Sequence, residues 1–85
     1  MREDLRRNRF RFILAEIELG STFAKLALNA TNPVKQQRNE KNARRAFDEA
    51  VRFTRKARLS TEERETVEIG VNRLRAALHL LNGHA

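Results

Sequence analysis

Cysteine is absent from this 85-residue chain, so neither a disulfide nor a thiolate-held metal can reinforce the fold. Packing alone must hold it. A single domain of this length buries only about 60–65% of its unfolded surface, and the per-residue rule puts net stability on the order of 4–12 kcal/mol. Long apolar runs are missing too: none approaches the ~20 residues that span a bilayer, and Glu16, Glu18 and Lys25 interrupt the most hydrophobic part. The chain reads as soluble, with no membrane partner. Residues Met1 to Arg7 mix acids with arginines and lack a small-residue cleavage site after an apolar core, which argues against a secretory leader and makes a cytoplasmic address the default.

Reactive chemistry is equally sparse. The three glycines stand alone at 20, 70 and 83, so there is no Gly-rich phosphate loop. His79 and His84 lie five residues apart, whereas one helical turn brings together residues three or four apart, and no Asp or Glu follows Glu68 to complete a site. The carboxylates at Glu16/Glu18, Asp48/Glu49 and Glu62/Glu63/Glu65 each have a neighbour one or two positions away, which points to a different helix face, so none is expected to converge on a shared proton. The expectation is a non-enzymatic protein with no cofactor and no metal.

What the sequence does contain is helical periodicity. From Phe10 to Ala30, one stripe of Phe10, Ile13, Ile17, Gly20, Ala24 and Ala27 runs beside a second of Phe12, Leu19, Phe23, Leu26 and Ala30. A helix apolar on both flanks is normally central or at an oligomer interface. This segment is therefore expected to be sandwiched between two others, with Gly20 marking a close backbone approach. Ala30-Thr31-Asn32-Pro33 stops it, and Asn32 as cap with Pro33 at the first helical position restarts the chain. So short a connection makes the first two helices antiparallel neighbours.

The second helix opens with Lys35 to Asn42, eight residues without an apolar side chain, which either project past the core or lie on it through their stems. Ala43, Phe47, Ala50, Thr54 and Ala57 then follow a 4-3-4-3 spacing, with Phe47 the leading candidate for the central core residue. Ser60 and Glu63 form a capping box that opens the third helix, and Glu62, Glu63 and Glu65 favour its positive end. Val67, Val71, Leu74, Leu78 and Leu81 make its buried stripe, Ile69, Ala77 and Leu80 widen it, and Gly83 suits the position after its last turn. No segment alternates with a strand's period. The fold expected is all-α: one domain over residues 1–85, a three-helix antiparallel bundle with helices at about 3–29, 33–57 and 61–81.

Leu19-Gly20-x-x-Phe23 followed by Ala43-x-x-x-Phe47-x-x-Ala50 resembles the tetratricopeptide helical hairpin. The resemblance implies that Gly20, Phe23, Ala43, Phe47 and Ala50 are packing residues. Glu16 stands where that family has an aromatic and Arg55 where its closing proline would fall, and the stretch from Gly20 to Ala43 is roughly twice the family's. Helices this long resemble the elongated three-helix bundles of microtubule-interacting-and-trafficking domains. Ile17-Glu18-Leu19-Gly20 also recurs as Val67-Glu68-Ile69-Gly70, as a following repeat would have it.

The net charge of +7 is uneven: residues 31–59 hold nine basic and three acidic side chains, against six and four before them and three and four after. Two functional expectations follow. One is a protein-interaction module that buries leftover apolar surface against a protein partner or a second copy, with Leu14, Leu28 and Leu80 placed outside the core as the contact candidates. The other is a basic nucleic-acid or polyanion binder using Arg38, Lys41, Arg44, Arg45, Arg52 and Arg55, with Lys56 and Arg58 extending the face. Against the second, no short helix-turn-helix turn is present, Asp48 and Glu49 break the face, and the phenylalanines are needed in the core. Arg6, Arg7, Arg9 and Arg11 read either as a solvated helix start or as further phosphate contacts.

Overall fold

The computed structural model describes the backbone of residues 2–82 and the side chains of residues 8–82. Three helices account for it: α1 Arg2–Asn29, α2 Pro33–Lys56 and α3 Thr61–Asn82. They form an all-α bundle with extents of 46 × 19 × 16 Å, its long axis set by the 28 residues of α1. At 1.5 Å per residue that helix alone spans about 42 Å.

The local signals act as the residue types require. The Asn32 side chain accepts from the backbone N–H of Val34 at 2.8 Å and of Lys35 at 3.4 Å, and Pro33, which has no N–H, leaves no donor to satisfy at the first helical position. Ser60 Oγ accepts from the Glu63 N–H at 3.1 Å while Glu63 Oε1 accepts from the Ser60 N–H at 2.9 Å, a reciprocal capping box. The α2 helix ends at Lys56, so Arg58 sits in the 57–60 connection and not on the helix that carries the other basic residues. The Gly83 stop and His84 lie outside the described residues.

Packing divides into two apolar clusters along the bundle. One gathers Ile13 and Ile17 of α1, Ala50 and Ala57 at the end of α2, and Val67 and Val71 of α3. The other gathers Ala24 and Ala27, Ala43, and Leu74, Leu78 and Leu81. Gly20 lies where they meet: a Cβ built there would stand 2.6 Å from Leu74 Cδ2 and 3.2 Å from the Ala46 Cβ, so all three helices converge on this point. Gly70 plays the same part for α1 and α3, its missing Cβ leaving room for Ile17 Cγ2 at 3.0 Å. No described residue that is polar or charged is buried, so the core rests on apolar contact.

Three sequence expectations are corrected here. The α1 helix is not sandwiched: α2 and α3 also touch each other and share one side of it. In a triangular bundle two neighbours cover one broad face of a helix, so a helix apolar on both flanks keeps one of them bare. The first stripe is buried from Ile13 onward, but Phe12, Leu19 and Leu26 of the second remain 45%, 45% and 50% exposed. Phe47 is half-buried and not central. It packs against both clusters from the α2–α3 seam, with the Arg75 guanidinium 5.5 Å from its ring centre, while Ala43, Ala46 and Ala50 occupy the closed positions. On α3, Ile69 and Leu80 face solvent at 54% and 61%, so they do not widen the buried stripe.

The polar start of α2 lies along the bundle instead of projecting, with Gln36, Asn39, Glu40 and Asn42 half-buried. Small alanines further on let α2 approach α1 closely, and stems suffice to cover the remaining apolar surface.

Candidate interaction surface

The exposed flank of α1 is a regular row. Phe12, Leu19 and Leu26 are each seven residues apart, so they recur after almost two full turns on one side of the helix, about 10.5 Å from one to the next. Half-buried Phe23 fills the row between the last two, and half-buried Glu16 takes the equivalent place between the first two. Such a row is the pattern a second helix packs against.

A matching row runs along α2. Arg38, Arg45 and Arg52, again seven apart, are exposed on its outer side. Phe12 stands against Phe53, ring centres 4.8 Å apart and edge to face at 73°, and Gly20 stands against Ala46. The helices are antiparallel, so each step up α1 is a step down α2: Arg52 falls level with Phe12, Arg45 with Leu19 and Arg38 with Leu26. The lowest level is seen in detail, where the Arg52 guanidinium lies 5.4 Å from the centre of the Phe53 ring that backs Phe12. Here the groove deepens into a hollow of about 360 Å³, floored by Phe12, Phe53 and Ala57 and rimmed by Arg9 and Lys56.

The basic residues divide by their contacts. Arg44 pairs with Glu40 at 3.1 Å and donates to the Asn82 side chain, which ties α2 to α3. Arg52 pairs with Glu49 at 2.8 Å. Arg38, Lys41, Arg45 and Arg55 are exposed and make no ion pair among the described residues. Arg55 borders the α2–α3 cleft beside Val67 and Arg75, away from the α1 groove. The six basic candidates therefore do not form one face: Arg38, Lys41, Arg45 and Arg52 share the outer side of α2, and Arg44 and Arg55 turn toward α3.

The apolar candidates divide as well. Leu80 is exposed, as expected of a residue outside the core. Leu14 and Leu28 are not outside it: each is half-buried, Leu14 against the Ile13–Val67 cluster and Leu28 against the Ala24–Leu74 cluster. They line the α1–α3 seam, on the flank of α1 away from the Phe12, Leu19 and Leu26 row. The large apolar residues exposed on α1, Phe12, Leu19 and Leu26, all come from the second stripe, the flank that a sandwiched helix would have covered. No spacing signal separates them, since the buried stripe also repeats every seven residues at Ile13, Gly20 and Ala27.

Among the described residues no group of three His, Cys, Asp or Glu side chains stands together as a metal ion needs, and His79 is exposed on α3. No described helix is long and apolar enough to cross a membrane. Compared with protein-family models, with curated proteins and with solved structures, the chain matches none.

Proposed function

We propose that this chain is a non-enzymatic helical protein-interaction module that works by covering the apolar flank of α1 with another helix. The observation that carries the reading is the exposure of Phe12, Leu19 and Leu26 in one straight row, whereas the other large apolar side chains left exposed, Val34, Ile69 and Leu80, do not line up along one helix. Burying the exposed half of each side chain contributes about 1 kcal/mol, so the row supplies roughly 3 kcal/mol toward association before ordering costs. Tetratricopeptide-like packing and a cytoplasmic setting belong to the same reading. The first is supported by Gly20 seated beneath Leu74 and Ala46 and by Phe47 bridging both clusters.

The test is the double variant Leu19→Glu/Leu26→Glu in the full chain. Its helicity should equal the wild type's, while concentration-dependent sedimentation, or binding of an added amphipathic helix, seen with the wild type should be lost. A wild-type chain that stays monomeric and holds no helix refutes the reading.

A second reading, polyanion binding by α2, is favoured by one observation: Arg38, Lys41 and Arg45 are exposed without ion pairs among the described residues. Phe12 is also more accessible than the sequence led one to expect. A salt titration with duplex and single-stranded DNA checks it. Affinity should fall linearly on logarithmic axes, with a slope of about −0.9 per duplex phosphate neutralised; no binding at low salt eliminates it.

A further inference from the structure

We propose that the groove between α1 and α2 receives an acidic amphipathic helix from another protein. Its apolar residues would lie on Phe12, Leu19 and Leu26, and its carboxylates would meet Arg52, Arg45 and Arg38. The inference rests on the interaction-module reading and names the partner of that surface.

What identifies the occupant is the coincidence of two periods. The apolar row and the arginine row have the same seven-residue repeat on antiparallel helices, so each apolar residue has an arginine at its own level. Only a straight object with apolar groups on one side and negative groups beside them every ~10.5 Å meets both rows at once, which is a description of a helix with a heptad pattern. Phe12 to Leu26 spans about 21 Å, so about four turns of partner suffice. Among the described residues Arg38 and Arg45 have no ion pair to give up, and Glu49 pairs with Arg52. At the far end Arg9 and Lys56 line the Phe12–Phe53 hollow, adding positive charge there.

The same charges disfavour the other occupants. A second copy would bring its own arginines to face these, since residues 31–59 carry nine basic side chains against three acidic ones. A nucleic acid would satisfy the arginines and leave Leu19 and Leu26 in water.

Three fluorescein-labelled peptides of about 21 residues, long enough to span the groove, test this on the full chain by anisotropy. The first is an amphipathic helix with leucines at heptad spacing flanked by Glu. The second has Lys in place of each Glu. The third has the first peptide's composition scrambled to destroy the apolar face. The acidic amphipathic peptide should bind at least about tenfold more tightly than either control. Leu19→Glu/Leu26→Glu should weaken it by about tenfold or more. Arg38→Glu/Arg45→Glu, which alters only exposed residues, should weaken it severalfold and improve binding of the Lys peptide. Equal binding of acidic and basic peptides overturns the proposal, as does scrambled peptide binding as well as the first. Self-association that is abolished by Leu19→Glu/Leu26→Glu, with no peptide bound, overturns the acidic-helix assignment and leaves the interaction module standing. No association of any kind overturns both.

Discussion

Replacing Gly20 with alanine sets two well-defined effects against each other. In an exposed helix the exchange stabilises by about 1 kcal/mol, because alanine loses less backbone entropy. No glycine among the described residues has a positive φ, so the backbone itself does not resist a side chain. The obstacle is space: the new methyl would lie 2.6 Å from Leu74 Cδ2 and 3.2 Å from the Ala46 Cβ. A leucine methyl could swing away if Leu74 had room, but it is only 1% exposed, and the Ala46 Cβ is fixed to the α2 backbone. Relief therefore requires α1 to move from α2 and α3 together, an overpacking cost of about 1–3 kcal/mol. The net expectation is a destabilisation of about 1 kcal/mol, read as a fall in melting temperature of about 4–8 °C for a domain of this size.

Two controls give that number meaning. Gly70→Ala meets only Ile17, at 3.0 and 3.3 Å, on a half-buried seam, so the propensity gain should offset the crowding to within about 0.5 kcal/mol. Leu74→Ala alone should cost about 2–5 kcal/mol through the cavity it opens. In that background Gly20→Ala should become neutral or stabilising, a positive coupling of at least about 1 kcal/mol between neighbours. Thermal or urea unfolding followed by circular dichroism reads all four variants. A Gly20→Ala protein stabilised by about 1 kcal/mol, as helix propensity alone would have it, would show that the three helices do not meet at Gly20.

Removing either cap should be felt directly: Asn32→Ala and Ser60→Ala each cost about 1 kcal/mol, measured by urea unfolding, because each leaves helix-start N–H groups without their acceptor. Leu28→Glu should lower stability by about 1–3 kcal/mol, since its carboxylate would enter the edge of the core, whereas Leu80→Glu should change it by less than about 0.5 kcal/mol; equal effects would mean that the α1–α3 seam is misplaced. Ile13→Ala should cost about 2–5 kcal/mol, as its side chain is fully enclosed.

The number of helices and the caps that open the second and third were legible in the chain because they depend on residues within one turn of each other. Asn32-Pro33 and Ser60 with Glu63 act locally, and the three-and-four spacing of Ile13, Ile17, Ala24 and Ala27 marks a buried face wherever the helix goes. Gly20 too announced a close contact, because an unpunctuated helix has little other use for a glycine.

The candidate surface was not legible, for a physical reason. A sequence shows how wide a helix's apolar arc is, but not which part of it the neighbours cover. That depends on where α2 and α3 stand around α1, a matter of nonlocal packing. With both on one side, Leu14 and Leu28 fall into a seam and Phe12, Leu19 and Leu26 are left outside. The antiparallel register of α1 and α2 then brings Arg38, Arg45 and Arg52 level with that row, a correspondence between positions 12 to 40 residues apart that no local pattern could contain. The sequence by itself determined that there are three amphipathic helices and how the second and third are capped at their starts; only the tertiary structure decided which apolar flank stays in water, because three cylinders in contact cannot cover one another completely.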